Sequence, residues 1–203
     1  MLTLLLVRHG SHGLLGRTLV GRMPGVSLSE AGRGEAERAA AMLAGRGIAR
    51  VISSPLERTR ETADAIAARV GCEVETAEEI VEIDCGTWTG ADFTKLPDDP
   101  HWHRWNSERA TCTMPGGEGM ADVQARALAL IARLAAEPGD NTVALVTHSD
   151  VVKAVAMAAM GLSLDRHDHL TVDPASVTTL HVYGDYMRVV RLNEAPAAEA
   201  AGP

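Results

Sequence analysis

The architecture of this chain can be worked out from one short stretch, Leu2-Thr3-Leu4-Leu5-Leu6-Val7-Arg8-His9-Gly10. Apart from Thr3, its first part is an apolar run, which indicates a strand that is covered on both faces. Such strands belong to parallel sheets that carry helices on both sides. Because Arg8 and His9 follow directly, the stretch also predicts polar side chains at the carboxyl end of a buried strand.

Apolar runs and helical patterns alternate along the rest of the chain, which is typical of an α/β layer structure. Helices are expected at Ser29–Arg46, from Ser54 to about Val70, at Met120–Glu137 and at Asp150–Met160. Further strands are expected at Val51–Ser53, Thr142–Thr147, Thr178–Tyr183 and Met187–Leu192, the last two around the hairpin turn Gly184-Asp185. We therefore expect an α/β fold, a three-layer α/β/α sandwich with a mostly parallel central sheet.

The pattern predicts one domain over residues 1–193, because neither an internal repeat nor a linker interrupts it. Residues from about 85 to 119 are rich in Gly, Pro and Asp and are expected to form an irregular cap over the crevice. Residues 194–203 consist only of Ala, Pro, Glu and Gly, and are expected to be a disordered tail. An exposed sheet edge could pair with a second copy, so a homodimer is a further expectation.

Composition and charge limit the classes of function. The 203 residues are 46% hydrophobic and 23% charged, which fits a soluble globular chain. The net charge of −8 argues against nucleic acid or a membrane as partner, because such binders normally carry a basic surplus. The apolar residues 1–7 lack a basic leader and are too short for a signal peptide or a membrane span. Three cysteines without a Cys-x-x-Cys pair indicate the reducing cytoplasm rather than a disulfide framework.

The start of the second helix is predicted by Ser54-Pro55-Leu56-Glu57. Ser54 is the expected N-cap, Pro55 suits the first helical position, and Glu57 completes a capping box. This arrangement places Arg58 in the first helical turn.

Polar side chains follow three of the predicted strands: Arg8 and His9 the first, Arg58 the second, and His148 the Thr142–Thr147 strand. Ligands of open α/β sheets bind outside the carboxyl ends of the strands. Helix N-termini at the same edge favour an anion. If the three strands are parallel neighbours, these side chains converge on a phosphate site that contains a histidine nucleophile.

The residues at these junctions resemble the motifs of the histidine phosphatase superfamily, in its phosphoglycerate mutase-like branch. The resemblance covers residues 2 to about 192 and would imply the phosphoglycerate mutase-like form of the predicted fold. Glu82, four residues before Gly86, matches the position of the family's acid. The motifs that carry the resemblance are Arg8-His9-Gly10, Ser53-Ser54-Pro55-Leu56-Glu57-Arg58-Thr59-Arg60-Glu61-Thr62-Ala63, Gly86-Thr87-Trp88-Thr89-Gly90 and Val146-Thr147-His148-Ser149.

The resemblance implies a role for each of these residues. His9 would attack phosphorus and form a phosphohistidine intermediate. Glu82 would protonate the leaving oxygen and later deprotonate water. No metal or other cofactor is implied, because arginines and histidines supply the positive charge. The residues that the resemblance places against a small phosphorylated substrate are Arg8, Arg58, His148, Ser149 and Arg17.

One position departs from the family pattern. Leu15 lies where the family commonly has an Asn that binds phosphate, and Arg17 or the backbone near Gly16 is the expected substitute. A phosphatase acting on small phosphomonoesters is the function expected first. Two alternatives stay open at this point: a phosphoglycerate mutase-type isomerase and a catalytically weak protein that binds a phosphorylated ligand.

Two histidine-rich segments, His101-Trp102-His103 and His167-Asp168-His169, could suggest metal ligands. Neither has a zinc framework, so we expect solvated loop residues there. Ser149 and Asp150 beside His148 could suggest a serine hydrolase, but the sequence has no Gly-x-Ser-x-Gly elbow. His12 and Arg22 are further candidates for the substrate entrance.

Overall fold

The computed structural model describes residues 1–196. Six strands form one sheet: β1 (Leu2–Arg8), β2 (Ile48–Ser53), β3 (Val74–Thr76), β4 (Asn141–Thr147), β5 (Val177–Tyr183) and β6 (Tyr186–Glu194). The α-helices are α1 (Glu30–Leu43), α2 (Glu57–Val70), α3 (Pro100–Ser107), α4 (Met120–Ala135) and α5 (Ser149–Met160). Short 3₁₀ helices lie at Glu78–Ile80, Gly86–Trp88, Leu96–Asp98 and Leu164–His169.

The strands are arranged in the order β3-β2-β4-β1-β5-β6. The first four of these run parallel to one another, and β5 and β6 are antiparallel additions at one side. This confirms the α/β class and the mostly parallel sheet. The register aligns Arg8 of β1 with Thr147 of β4, and Ser53 of β2 with Val146 of β4. The carboxyl ends of the three central strands therefore lie side by side.

The first strand is buried on both faces, as its apolar run predicts. Leu4 and Leu6 pack into the core beneath α4 and α5, whereas Leu5 and Val7 pack against α1 and α2 on the opposite face. Each fully buried leucine contributes about 1.5–3 kcal/mol of transfer free energy. Two separate apolar cores thus hold the sheet between two helical layers, which confirms the three-layer sandwich.

The predicted capping box at the start of α2 is wrong. The helix begins at Glu57 with Leu56 as its N-cap residue, and no side chain caps it. The Ser54 hydroxyl lies 2.8 Å from Nε2 of His148 instead. The Ser54 hydroxyl, which capping rules assign to the start of α2, is therefore occupied by a contact with a residue that is distant in the sequence. Elsewhere the expected helix bounds agree with the structure at Val70, Met120 and Met160 and differ by one to three residues at the other ends.

The segment from about 85 to 119 is less irregular than expected, because it contains α3 and two of the 3₁₀ helices. Trp105 of α3 is fully buried and anchors the segment to the core. The predicted tail starts too early, since Glu194 ends β6 and its carboxylate pairs with Arg46 at 3.0 Å. The remainder of that prediction, from residue 197 onward, lies outside the described residues. The extent of the single domain stays a prediction.

β6 forms an edge of the sheet, and the homodimer expected from such an edge stays a prediction. No helix in the described part of the chain has both the length and the apolar character needed to cross a membrane.

Candidate active site

The structure brings the polar residues of the three strand ends together, because the strands are hydrogen-bonded neighbours. The backbone N–H of His9 donates to the Thr147 carbonyl at 2.9 Å, and that of Ser54 donates to the Val146 carbonyl at 2.9 Å. The imidazole rings of His9 and His148 lie edge to face, with centroids 5.2 Å apart. A crevice at the carboxyl edge of the sheet is thus lined by Arg8, His9 and Arg58. His148 is fully buried and does not line it, so its expected contact with substrate stays a prediction.

His9 is oriented for attack through Nε2. Its Nδ1 lies 2.7 Å from the Gly10 carbonyl oxygen, and a carbonyl can only accept, so the proton is on Nδ1. The lone pair on Nε2 faces the Arg58 guanidinium, whose Nε donates to it at 3.3 Å. Burial, with the nearby charges of Arg58 and Arg8, holds the pKa of His9 well below its ordinary value. The His9 imidazole is therefore neutral at pH 7, with the lone pair of Nε2 directed into the site.

The loop that carries His9 is pressed against the first turn of α1. A side chain at Gly10 would overlap the carbonyl of Gly32, and one at Gly32 would overlap the carbonyl of Ser11. Glycine is required at both positions because backbone lies against backbone. The Glu35 carboxylate also accepts from the Ser11 N–H at 2.7 Å and from its hydroxyl at 2.9 Å. These contacts fix the nucleophile relative to α1.

Arg58 is a fully buried cation at the centre of the site. Its Nη2 donates to the Gly21 carbonyl at 2.8 Å and to Nδ1 of His148 at 3.2 Å. Burial lowers the pKa of Arg58, opposed by the charges of Glu82 and Glu57. A buried guanidinium is costly unless an anion and hydrogen-bond acceptors compensate it. The surroundings therefore favour an anionic ligand.

His148 is held by contacts to both of its ring nitrogens. Because Arg58 donates to Nδ1, the neutral ring carries its proton on Nε2, which donates to the Ser54 hydroxyl. Burial, followed by the charge of Arg58, holds the pKa of His148 well below its ordinary value. The Nδ1 atom also lies 3.8 Å from a carboxylate oxygen of Glu82.

Glu82 has the properties of a proton donor. Burial and the charge of Asp150 raise its pKa to about 8, although Arg58 and Arg8 act in the opposite direction. The backbone carbonyl oxygen of Glu82 accepts from Arg22 at 2.8 Å and from Arg126 at 3.2 Å, and these two hydrogen bonds hold the backbone of this residue in place. One side-chain oxygen accepts from the N–H of the next residue at 3.0 Å. At pH 7 the carboxyl group is therefore mostly protonated and ready to release its proton.

Three buried nitrogens around His9 have no hydrogen-bond partner among the described residues: Nε of Arg8, Nδ1 of His12 and Nη1 of Arg58. Arg8 is otherwise fixed by donating to the Val172 carbonyl at 2.6 Å. Leaving a buried donor unpaired costs about 1–3 kcal/mol, more for charged groups. Unpaired donors on two guanidinium groups next to a nucleophile are the arrangement expected of a phosphoryl-binding site.

These residues line a cavity of about 220 Å³. Arg17 does not line it: its side chain is exposed, because residues 14–18 form a turn that directs it outward. Ser149 is half-buried as the first residue of α5 and does not line the cavity either. Their expected contacts with substrate stay predictions without support from this geometry. The residues that do line the cavity are Arg8, His9, His12, Leu15, Gly16, Thr18, Leu19, Val20, Gly21, Arg58, Glu82, Ile83, Cys85, Phe93 and Asp150.

The sequence reasoning missed Asp150 as a residue of this wall. Its carboxylate accepts from Nε2 of His167 at 2.8 Å. Burial raises the pKa of Asp150, but the hydrogen bond and charge of His167 outweigh burial and hold that pKa well below its ordinary value. Asp150 is therefore an ionised carboxylate at the cavity. An acidic residue two positions after His148 was the available signal, but it is equally typical of a first helical turn.

Both histidine-rich segments lie in helices rather than in the expected loops. His103 and His169 are exposed, as expected, whereas His101 is half-buried. His167 is buried against Asp150. His101 and His103 lie in α3, where Nε2 of His101 pairs with the Thr113 carbonyl at 2.8 Å and Nε2 of His103 pairs with the Pro97 carbonyl at 2.7 Å. Within the described residues, no three His, Cys, Asp or Glu side chains are grouped so as to hold a metal ion.

Fold and site together define a class of α/β protein in which two buried guanidinium groups and a neutral histidine form an anion-binding crevice at the carboxyl edge of a parallel sheet. The chain belongs to the histidine phosphatase superfamily (branch 1), whose family model matches residues 4–195.

Relatives support the same family. The chain is 33% identical over 191 residues to a bifunctional protein of Mycobacterium tuberculosis, covering 93% of this chain and 52% of that protein. It is 31% identical over 200 residues to phosphoserine phosphatase 1 of Hydrogenobacter thermophilus, covering 95% and 92% of the two chains. The structure of mycobacterial glucosyl-3-phosphoglycerate phosphatase superposes with a TM-score of 0.86 at 29% identity, over 95% of this chain and 99% of that one. The chain spans about half the length of the first of these relatives.

Proposed function

We propose that this chain hydrolyses small phosphomonoesters through a phosphohistidine intermediate on Nε2 of His9. The observation that carries the proposal is the pair of buried guanidinium groups of Arg8 and Arg58, each with an N–H that has no partner among the described residues, beside a neutral His9. Preorganised donors stabilise the charge that develops on the equatorial oxygens of a transferring phosphoryl group. Membership in the histidine phosphatase superfamily and relatives named as phosphatases support the same activity.

In the first step the Nε2 lone pair of His9 attacks phosphorus and the bond between phosphorus and the ester oxygen breaks. The guanidinium groups of Arg8 and Arg58 hold the phosphoryl oxygens. Glu82, protonated at pH 7 because its pKa is raised to about 8, gives its proton to the departing oxygen. The product alcohol leaves, and His9 carries the phosphoryl group.

In the second step the Glu82 carboxylate takes a proton from water, and the water oxygen attacks phosphorus. The phosphorus–nitrogen bond breaks, which releases inorganic phosphate and restores neutral His9. The hydrogen bond from Nδ1 of His9 to Gly10 stabilises the positive charge that the ring carries while it is phosphorylated. Positive charge throughout the cycle comes from the guanidinium groups of Arg8 and Arg58, and the His9 ring adds a charge only while it is phosphorylated.

The test is hydrolysis of p-nitrophenyl phosphate in EDTA by the wild type and by His9→Ala. The matched control is His169→Ala, which removes an exposed histidine. We expect turnover by the wild type and by the control, and none above background by His9→Ala. Activity that survives His9→Ala, or that requires an added metal ion, would contradict the mechanism.

The same preparation distinguishes the two alternatives. A mutase-type isomerase would isolate as a stable phosphoenzyme and would need a bisphosphate to maintain turnover. A binding protein would take up inorganic phosphate in calorimetry without hydrolysing any ester. The proposed phosphatase should instead turn over without a bisphosphate and hold phosphate on His9 only transiently.

We also propose that the chain works in the cytoplasm. All three cysteines are free thiols, and Cys85 and Cys112 are buried. Free buried thiols suit a reducing compartment. Cell fractionation followed by immunodetection tests this proposal, and recovery from an oxidising compartment would contradict it.

A further inference from the structure

The cavity changes character between its floor and its rim. The floor holds the charged and polar groups around His9, whereas the rim, where a leaving group must lie, is mostly apolar. The rim consists of partly exposed apolar side chains from the loop after β1 and from the segment after β3, and they are Leu15, Leu19, Val20 and Phe93. Phe93 is the only phenylalanine in the sequence.

The two segments of the rim are joined by backbone hydrogen bonds. The N–H of Leu19 donates to the Ala91 carbonyl at 2.9 Å, and the N–H of Phe93 donates to the Arg17 carbonyl at 3.0 Å. The Phe93 ring also packs edge-on against Trp102, with centroids 6.3 Å apart. The apolar rim is therefore formed before any substrate binds, and its shape is the one a ligand meets.

The charges of the lining suit one phosphoryl group and no further anion. Arg8 and Arg58 are the only arginine or lysine residues among the described residues of the lining. His12 adds no positive charge at pH 7, since burial lowers its pKa to about 4. Two guanidinium charges match one phosphoryl dianion, and Asp150 contributes an ionised carboxylate to the same wall.

A second anionic group on the substrate would have no partner at the rim. The nearest arginines in sequence are directed elsewhere: Arg17 is exposed, and Arg22 pairs with Glu118 at 2.8 Å. Moving a carboxylate from water to an apolar rim is costly without a counter-charge. An apolar leaving group instead gains free energy by covering the rim.

From these observations we infer that the site selects phosphomonoesters with an uncharged, apolar leaving group, aryl or alkyl, and rejects esters that carry a carboxylate or a second phosphate. Leu15 at the rim contributes to this preference, and Asp150 adds negative charge to the same cavity. The inference rests on the proposed function and specifies its substrate class.

The test compares two matched esters, 4-ethylphenyl phosphate and 4-(carboxymethyl)phenyl phosphate, which differ at the far end of the leaving group. A single misplaced polar or apolar group in such a pocket changes kcat/KM by about 10–200-fold. We expect kcat/KM to be at least about 10-fold higher for the ethyl ester. Equal values, or a preference for the carboxylate, would overturn the inference.

Leu15→Lys places a cation on the rim at a side chain that is 38% exposed, so the core is not disturbed. It should reduce the preference for the ethyl ester by about 10-fold or reverse it. The control Leu162→Lys changes a leucine that is 42% exposed and does not line the cavity. It should keep the wild-type preference, and an equal effect of both variants would overturn the role of Leu15.

Binding of the two corresponding phosphonates, measured by calorimetry, separates this inference from the proposed function. Phosphonates cannot be hydrolysed at the phosphorus–carbon bond, and both bind through the same phosphonate group, so the ratio of their affinities reports on the rim. Tighter binding of the ethyl phosphonate without turnover of either ester would support the selectivity of the rim and contradict the proposed hydrolysis. Turnover of both esters with equal phosphonate affinities would support hydrolysis and overturn the inferred selectivity of the rim.

Discussion

Replacing Glu82 by glutamine removes the proton that the leaving group needs while keeping the shape of the side chain. The amide oxygen can still accept from the N–H of Ile83, a bond of 3.0 Å in the native chain. Arg22 and Arg126 donate only to the backbone carbonyl of residue 82, so the substitution leaves these two hydrogen bonds unchanged. We therefore expect Glu82→Gln to fold like the wild type and to lose general acid–base catalysis.

The size of the loss depends on the leaving group. General acid–base catalysis contributes about 10²–10⁴-fold, equivalent to about 2.7–5.4 kcal/mol of transition-state stabilisation. For 4-ethylphenyl phosphate, a poor leaving group, kcat/KM of Glu82→Gln should fall by that factor. For p-nitrophenyl phosphate the first step needs little protonation, so kcat/KM should fall less. The second step still lacks its base, so rapid mixing should show a burst of nitrophenol equal to the enzyme concentration.

The pH dependence follows from the raised pKa of Glu82, about 8 in the empty site. The acid form is the active one, so about nine tenths of the enzyme is competent at pH 7 and about one tenth at pH 9. The kcat/KM of the wild type for 4-ethylphenyl phosphate should therefore fall about 10-fold between these pH values. The substrate stays a dianion over that range, because the second pKa of a phosphomonoester is about 6.

Glu82→Gln should show a flat profile from pH 7 to pH 9, since no proton is left to lose there. The control Glu78→Gln changes an exposed carboxylate and should keep the wild-type profile. A flat wild-type profile would refute the raised pKa. The same alkaline fall in Glu82→Gln would refute the assignment of the acid to Glu82.

Two further predictions concern the groups that hold the nucleophile. The lysine of Arg58→Lys cannot donate both to the Gly21 carbonyl and to His9, so kcat should fall about 10²–10³-fold. The control Arg60→Lys, on the exposed side of α2, should leave kcat unchanged in the same steady-state assay. Gly32→Ala forces a methyl group into the Ser11 carbonyl and should destabilise the fold by about 1–3 kcal/mol in urea denaturation. Gly34→Ala, on the same helix with only a flexible arginine end nearby, should stabilise it by about 0.5–1 kcal/mol, and the reverse order would refute the close approach.

The fold could be predicted because a single strand carries most of the information. The run Leu2–Val7 indicates a strand covered on both faces, and only a layered α/β sheet provides that. Where prediction was wrong, a tertiary contact had overridden a local rule. Ser54 has the right residue type and position for an N-cap, but its hydroxyl pairs with His148, almost a hundred residues away in the sequence. Capping rules describe the helix alone and cannot include that competing partner.

The residues around His9 could be predicted from the sequence because strand pairing fixes their positions, whereas no strand pairing fixes the residues of the rim. His9 and His148 follow neighbouring strands, and the pairing register fixes where they meet. The rim has no such constraint, since Leu15 and Phe93 come from loops that meet only through tertiary hydrogen bonds. Loop side chains can change without moving the strand ends, so selectivity can vary while the chemistry at His9 is preserved. The reaction could therefore be predicted from motifs, whereas the substrate preference had to be inferred from the folded cavity.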